Sequence, residues 1–233
     1  MKILVISPHP DDLDFACAGT VARLVGEGHE VSYVIVSDGS KGTRGVPEGK
    51  NIGEAELIEL RKREQREAAR VVGVEDVTFL GFKDGEIEDT PKLREELVKQ
   101  IRRFKPDIVF SFDPAPSFDS FFRAHRDHRM VAVAVFDAIY PASHNRLYFP
   151  HLLEQGYEPH RIGEAWFFST VNPDRFIDIT ETMEKKIAAL ACHRSQLRDM
   201  ERIAELVKER AREWGEVGGY RYAEAFRRVE MHR

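Results

Sequence analysis

Ile3-Leu4-Val5-Ile6, an unbroken apolar run, is followed at once by Ser7-Pro8-His9-Pro10-Asp11-Asp12. A run that does not alternate with polar residues fits a central parallel strand covered on both faces. It is too short for a signal peptide and meets a proline immediately, so the chain starts as structure, which points to the cytoplasm.

Working outward, apolar positions at helical spacing (Ala18, Val21, Ala22, Leu24, Val25) predict a helix from Phe15 to about Glu27, stopped by Gly26 and Gly28. A second strand reads Val31 to Val36, and its end enters the polar, glycine-rich stretch Ser37 to Gly45, a loop. Glu54 to Val72 is a charged amphipathic helix ended by Gly73, Val77 to Leu80 a short strand, Lys92 to Phe104 a helix, and Pro106 to Phe112 a fourth strand. Such alternation predicts an α/β fold: a Rossmann-like, mostly parallel sheet with helices on both faces and its active site at the C-terminal strand ends. His125-Arg126-Asp127-His128 then enters a helix from about Met130 to Ile139; Trp166 to Val171 and Phe176 to Ile179 read as late strands, and Thr182 to Arg212 as helical again. With no repeat and no linker, residues 1–233 are expected to form one domain.

Composition limits the partners. The 233 residues are 42% hydrophobic and 32% charged, which excludes disordered, collagen-like and membrane-spanning classes. The net charge of −5 gives nucleic acid no general source of attraction. Cys17 and Cys192 are far apart, so neither a disulfide framework nor a cysteine-closed structural metal site is expected.

His9 and Asp12 stand three apart after the first strand, and His125 and His128 three apart after the fourth. Imidazole and carboxylate groups are typical zinc ligands, and three protein ligands with one open position make a catalytic rather than a structural site. Alternatives exist: Asp12 as a helix N-cap, His128 as a core histidine. Gly39 to Gly49 could cradle a phosphate, although it matches neither the dinucleotide nor the P-loop spacing.

Ser7-Pro8-His9-Pro10-Asp11-Asp12, Ser37-Asp38-Gly39, Arg61 with Glu64, Phe79-Leu80-Gly81 with Asp84-Gly85, His125 to His128, and His193-Arg194-Ser195-Gln196 together resemble the PIG-L/LmbE-like zinc N-deacetylases. The match runs in order over about 190 residues. Leu13 departs from the Glu that many members carry there, with Asp14 as a possible substitute, and Ala18-Gly19 departs from a Gly-Gly pair. The resemblance implies one zinc per chain, held by His9, Asp12 and His128. It implies Asp11 as general base, since zinc brings the pKa of a bound water down to about 7 and the water proton needs an acceptor. A protonated His125 would stabilise the oxyanion and protonate the departing amine, and Asp127 would orient an imidazole, His125 foremost, or cap its helix. Arg61 would meet a polar or anionic group of the substrate, or else form a surface pair with Glu64. The implied substrate is a small N-acetylated sugar or sugar conjugate of the N-acetylglucosamine type, with residues 40–50 and 114–122 shaping its pocket. Two rival functions stand beside this: an amidase for a bulkier acyl group, and a non-catalytic Rossmann-like module for a nucleotide or sugar phosphate. The aromatic residues Tyr140, Tyr148, Phe149, Tyr157, Trp166, Tyr220, Tyr222 and Phe226 either complete the core or form the contact of a homo-oligomer.

Overall fold

A computed structural model describes residues 1–42, 52–115 and 118–231. Its elements in chain order are β1 (Lys2–Ser7), α1 (Asp12–Gly26), β2 (Glu30–Ser37), α2 (Glu54–Val72), β3 (Asp76–Phe82), α3 (Pro91–Phe104), β4 (Ile108–Phe112), α4 (Arg126–Asp137), α5 (His151–Glu154), β5 (Glu164–Phe168), β6 (Arg175–Asp178), α6 (Met183–Leu190), α7 (Met200–Gly218) and β7 (Ala223–Glu230). The strands form a seven-stranded sheet in the order β3-β2-β1-β4-β5-β7-β6. β1 pairs in parallel with both β2 and β4, and β4 in parallel with β5. β7 runs antiparallel between β5 and β6.

The continuous apolar run of β1 is explained by its two covered faces. Ile3 and Val5 join a core with Leu13, Val21, Ala68 and Val72 of α1 and α2, whereas Leu4 and Ile6 join the opposite core with Leu97, Ile101, Val131 and Val135 of α3 and α4. All four β1 side chains are fully buried, and each contributes roughly 1.5–3 kcal/mol through its removal from water. Gly73 ends α2 in the left-handed conformation at φ 89°, as its position after the last helical residue requires.

Two features differ from expectation. The helical pattern of residues 182–212 is divided: α6 stops at Leu190 and α7 begins at Met200, capped by the Asp199 side chain, which accepts from Arg202 N–H at 3.0 Å. The segment between them, with His193 to Gln196, leaves the helix because its polar groups bond to α1 and α2 instead. The second is β7, whose sequence Ala-Glu-Ala-Phe-Arg-Arg-Val-Glu is too charged to read as a strand. Arg227 is paired with Asp113, and Arg228 with Glu164 and Glu230. The aromatic set likewise divides: Trp166, Tyr222 and Phe226 are buried in the core, while Tyr140, Tyr148 and Tyr220 are exposed.

β1 lies between β2 and β4, with the chain order reversing on either side of it. In open parallel sheets such a reversal leaves a crevice beyond the C-terminal strand ends. His9 to Asp12, Gly39, Asp84 and the segment leading to His125 all follow strands of this sheet at that end.

Candidate active site

The turn after β1 is built by its own side chains. Ser7 Oγ donates to His9 O at 3.2 Å, and His9 N–H donates to Asp12 Oδ2 at 2.9 Å. Asp12 therefore faces back to His9 rather than capping its helix; Asp11 occupies the cap position, with no side-chain cap bond. Asp11 adopts φ 88° and ψ −33°, a region that costs an L-residue roughly 1–3 kcal/mol and persists only where its surroundings enforce it.

His9 is gripped from both ring nitrogens. Nδ1 lies 3.0 Å from Asp12 Oδ2, and Nε2 lies 3.0 Å from Asp127 Oδ2 and 3.2 Å from Asp84 Oδ1. Asp12 also reaches the second cluster: its Oδ1 is 3.2 Å from His128 Nε2. One buried carboxylate thus bridges two imidazoles, one from the turn after β1 and one from α4, which follows the neighbouring strand β4. His9, Asp12 and His128 are buried, whereas His125 is exposed beside them, its ring centroid 5.1 Å from His9 and 4.9 Å from His128. Phe112 stacks on His128 at 4.1 Å and Phe122 meets it edge-on at 4.8 Å, so the ring is held in place by packing. A small, partly open cleft lies against His128, lined also by Phe112, Asp113, Arg123, Arg129 and Ser169.

Among the described residues, ligand atoms of His9, His125 and His128 lie within 4.8 Å of one another, as do those of His9, Asp84 and Asp127. Around these imidazoles stand four carboxylates, Asp11, Asp12, Asp84 and Asp127, against one guanidinium, Arg61. Such an excess of carboxylates favours positive charge among them, from a protonated His9 or a bound metal ion, and His128 Nδ1 is buried with no hydrogen-bond partner. The donor set of imidazole nitrogen and carboxylate oxygen suits a divalent transition metal.

The charge distribution has definite consequences. Burial and the adjacent Asp12 raise the Asp11 carboxyl to about 6. Burial opposes ionisation of Asp12 too, but the imidazoles of His128 and His9 overcome it and hold the group well below the usual carboxylate range. Asp84 is drawn down to about 2 because His9, the Lys41 amide and Arg61 outweigh its burial. For His125, burial and the neighbouring His128 and His9 act together to lower the pKa.

Asp127 occupies a place other than that expected, and of the two readings of Arg61 the surface one is excluded. The Asp127 carboxylate does not orient His125: it accepts from Gly85 N–H at 2.7 Å and from Ile87 N–H at 3.4 Å and holds His9. Nor does it cap α4, a position taken by His125, whose Nδ1 accepts from Asp127 N–H at 3.3 Å. The backbone amides that follow β3 draw the carboxylate away from the fourth-strand segment. Arg61 is buried, not a surface partner of Glu64. Its Nη1 donates to Gly39 O at 2.7 Å and its Nη2 to Pro10 O at 3.0 Å, with Asp84 at 3.6 Å and Asp11 at 3.9 Å. It ties the ends of β1 and β2 together beneath the site.

The amides of Gly39, Ser40 and Lys41 are engaged by Ser37, Asp38 and Asp84; a phosphate cradle there would compete with carboxylates. Residues 43–51, the remainder of that loop, lie outside the described residues, as do residues 116 and 117 of the other loop expected to shape the pocket. Asp84 was not among the expected site residues as read from spacing, although its place just beyond β3 obeys the same strand-end rule as His9.

Comparison with known proteins supplies the family. Residues 4–139 match the PIG-L family model, described as GlcNAc-PI de-N-acetylase. Diacetylchitobiose deacetylase of Thermococcus kodakarensis is 34% identical over 232 residues, covering 98% of this chain and 83% of that protein. A probable N-acetyl-alpha-D-glucosaminyl L-malate deacetylase 2 of Bacillus cereus is 29% identical, covering 85% of this chain and 84% of that one. Among solved structures, N,N'-diacetylchitobiose deacetylase from Pyrococcus horikoshii superposes with a TM-score of 0.89 at 33% identity, covering 98% of this chain and 84% of that chain.

Proposed function

The chain belongs to the PIG-L family of de-N-acetylases, and from that we propose that it removes the acetyl group from a small N-acetylglucosamine-type sugar or conjugate, using zinc held by His9, Asp12 and His128. It is a hydrolase acting on N-acetyl amide bonds. The observation that carries the metal reading is the bridge made by Asp12, 3.0 Å from one buried imidazole and 3.2 Å from the other. Bound zinc would supply Lewis-acid polarisation of the acetamide carbonyl and of water.

The remaining roles fall to the chain itself. Asp11 accepts the proton of the attacking water: it adjoins a ligand, is not bonded to an imidazole, and is held apart by its own backbone conformation. His125, exposed at the rim and beside both ligand imidazoles, gives a proton to the departing amine, so that the C–N bond breaks to a neutral amine rather than its anion. Asp127 and Asp84 fix the His9 ring from its far nitrogen, the arrangement that sets tautomer and orientation of a ligating imidazole. Arg61 fixes Pro10 and Gly39, and so the turn that carries Asp11. The cleft beside His128 receives the sugar. The absence of a membrane-spanning helix among the described residues, together with two unpaired cysteines, supports the cytoplasm as its place of work. The exposed Tyr140 and Tyr148 supply apolar surface for self-association, which light scattering would refute by a monomer mass at all concentrations.

The test is a panel of N-acetylglucosamine, its oligomers and its glycosides, assayed for freed amine and for acetate with zinc present. Release of both in equal amounts from at least one member is expected. No deacetylation of any member removes the substrate class, and release of longer acids in preference to acetate replaces the deacetylase by an amidase.

A further inference from the structure

Behind Asp11, away from the imidazoles, a file of buried polar side chains crosses three segments of the chain. Gln65 on α2 accepts from Asp11 N–H through Oε1 at 2.9 Å and donates through Nε2 to Asp14 Oδ2 at 2.9 Å. The same Asp14 oxygen lies 2.8 Å from His193 Nε2. Asp14, Gln65 and His193 are each 0% exposed. His193 is delivered by the turn between α6 and α7, which Glu64 anchors by accepting from Ser195 N–H at 2.9 Å and from Ser195 Oγ at 2.6 Å.

The file has only one sense. A carboxylate accepts and cannot donate, so Asp14 fixes the proton of His193 on Nε2 and turns the Nε2 of Gln65 toward itself. The amide oxygen of Gln65 must then face the other way, where it meets the Asp11 amide. The bond falls on the one residue of the site whose backbone sits at φ 88°, and without it that amide would be buried and unpaired, leaving the peptide free to rotate out of the strained conformation.

We infer that Gln65 and His193 are positioning residues that aim the Asp11 carboxylate, acting through Asp14. The inference rests on the deacetylase reading with Asp11 as proton acceptor. A carboxylate displaced by about 1 Å costs roughly 100-fold in rate, while zinc, held by other side chains, is unaffected.

The experiment compares zinc content, kcat and KM in Gln65→Met, His193→Leu, His193→Gln and Asp11→Asn. Gln65→Met and His193→Leu should keep one zinc and a KM within about twofold, with kcat down about 10- to 100-fold. His193→Gln, which keeps a donor of similar reach, should recover most of the wild-type kcat; a purely structural role would alter thermal stability in all three and leave kcat of the zinc-loaded enzyme unchanged. Wild-type kcat in Gln65→Met, or His193→Gln as impaired as His193→Leu, overturns the inference. If Gln65→Met does not fold, the two His193 variants decide it. Loss of turnover in Asp11→Asn alone leaves the deacetylase reading intact and removes the positioning role; near-normal turnover in Asp11→Asn overturns both.

Discussion

Helix α1 touches two buried ionic clusters, and they are built on opposite principles. At the middle of the helix, Lys186 and Glu224, each 4% exposed in its side chain, form an ion pair that is also spliced into the helix: Lys186 Nζ donates to Phe15 O at 2.6 Å, and the Glu224 carboxylate accepts from Gly19 N–H at 3.1 Å and Thr20 N–H at 2.7 Å. Phe15 O and Gly19 N–H are the two groups that face each other one turn apart in an α-helix, so the pair is bonded to both sides of the same turn. Charges cancel and the carboxylate oxygens are occupied. At the N-terminal end of the same helix, Asp12 belongs to a group with carboxylates in excess over cations and an imidazole nitrogen left without a partner. Both clusters are expensive to desolvate. The balanced one needs nothing further and serves the fold; the unbalanced one suits a cation, and it is where the proposed chemistry is placed.

The contrast breaks most sharply at the ligands. His9→Ala, Asp12→Ala and His128→Ala should each lose zinc and turnover together, to the limit of detection, whereas His125→Ala should keep zinc and lose only turnover. Metal analysis of the purified variants decides between Asp12 and His125 as the third ligand: zinc retained by Asp12→Ala and lost by His125→Ala would shift the site to the three imidazoles. Chelation should lower the wild-type melting temperature, since a ligand at 100 to 1,000 times its Kd contributes about 2.7–4.1 kcal/mol, and should leave Asp12→Ala unmoved.

The balanced cluster should respond in the opposite way. Lys186→Met leaves Glu224 buried without its cation, which costs about 3–5 kcal/mol, read as a shift of the urea midpoint at constant m. The kcat of the folded, zinc-loaded variant should stay within about twofold of wild type. A large fall in kcat there would show that the pair acts on the site along α1.

Asp127→Asn sharpens the comparison at smaller amplitude. It retains one oxygen for the bonds now made to His9, Gly85 and Ile87, and loss of such an outer partner usually weakens metal affinity by 10- to 100-fold. Competition with a chelator measures it. Unaltered zinc affinity would mean that Asp84, 3.2 Å from the same imidazole nitrogen, is enough to hold His9.

How much of this was legible in the sequence follows from the range of each interaction. Ile3 to Ile6 and the glycines after α1 and α2 report local requirements, strand burial and helix termination, and the elements they predict are found. That His9, Asp12 and His128 meet was legible, because their spacing within each cluster and their place after a strand are properties of short segments. The partner of Asp127 was not: the contact with His9 spans 118 positions, and its competitors are backbone amides of Gly85 and Ile87 that leave no mark in composition. Arg61 reads as a contact for a substrate group or as a surface partner of Glu64, and its burial shows only once Gly39 and Pro10, from the ends of β2 and β1, close over it. The turn at His193 to Gln196 looked helical because its polar residues do not exclude a helix; only Asp14 and Glu64, waiting on other elements, draw it out of one. β7 failed for the reverse reason, since its arginines are masked as strand residues until Asp113 and Glu164 neutralise them.

The smallest effect is expected at the pair of Arg228 and Glu164, where β7 runs beside β5. Arg228 bonds Glu164 through Nε at 2.7 Å, and Trp166 Nε1 adds a bond at 2.8 Å; Arg228, more than burial opposes it, lowers the Glu164 carboxyl from 4.5 to about 2. The folded pKa is the depressed one, so the stabilisation is present above the unfolded value near 4.5 and fades as pH falls toward 2. The pair is partly exposed, 31% and 26% in its side chains, and solvent screening holds its contribution to under about 1 kcal/mol. Glu164→Gln should therefore move the urea midpoint slightly at pH 7 and progressively less as the pH is lowered from 4.5 to 3, with zinc content and kcat unchanged. A difference between variant and wild type that persists undiminished at pH 3 would assign the effect to packing around Trp166 rather than to the charge.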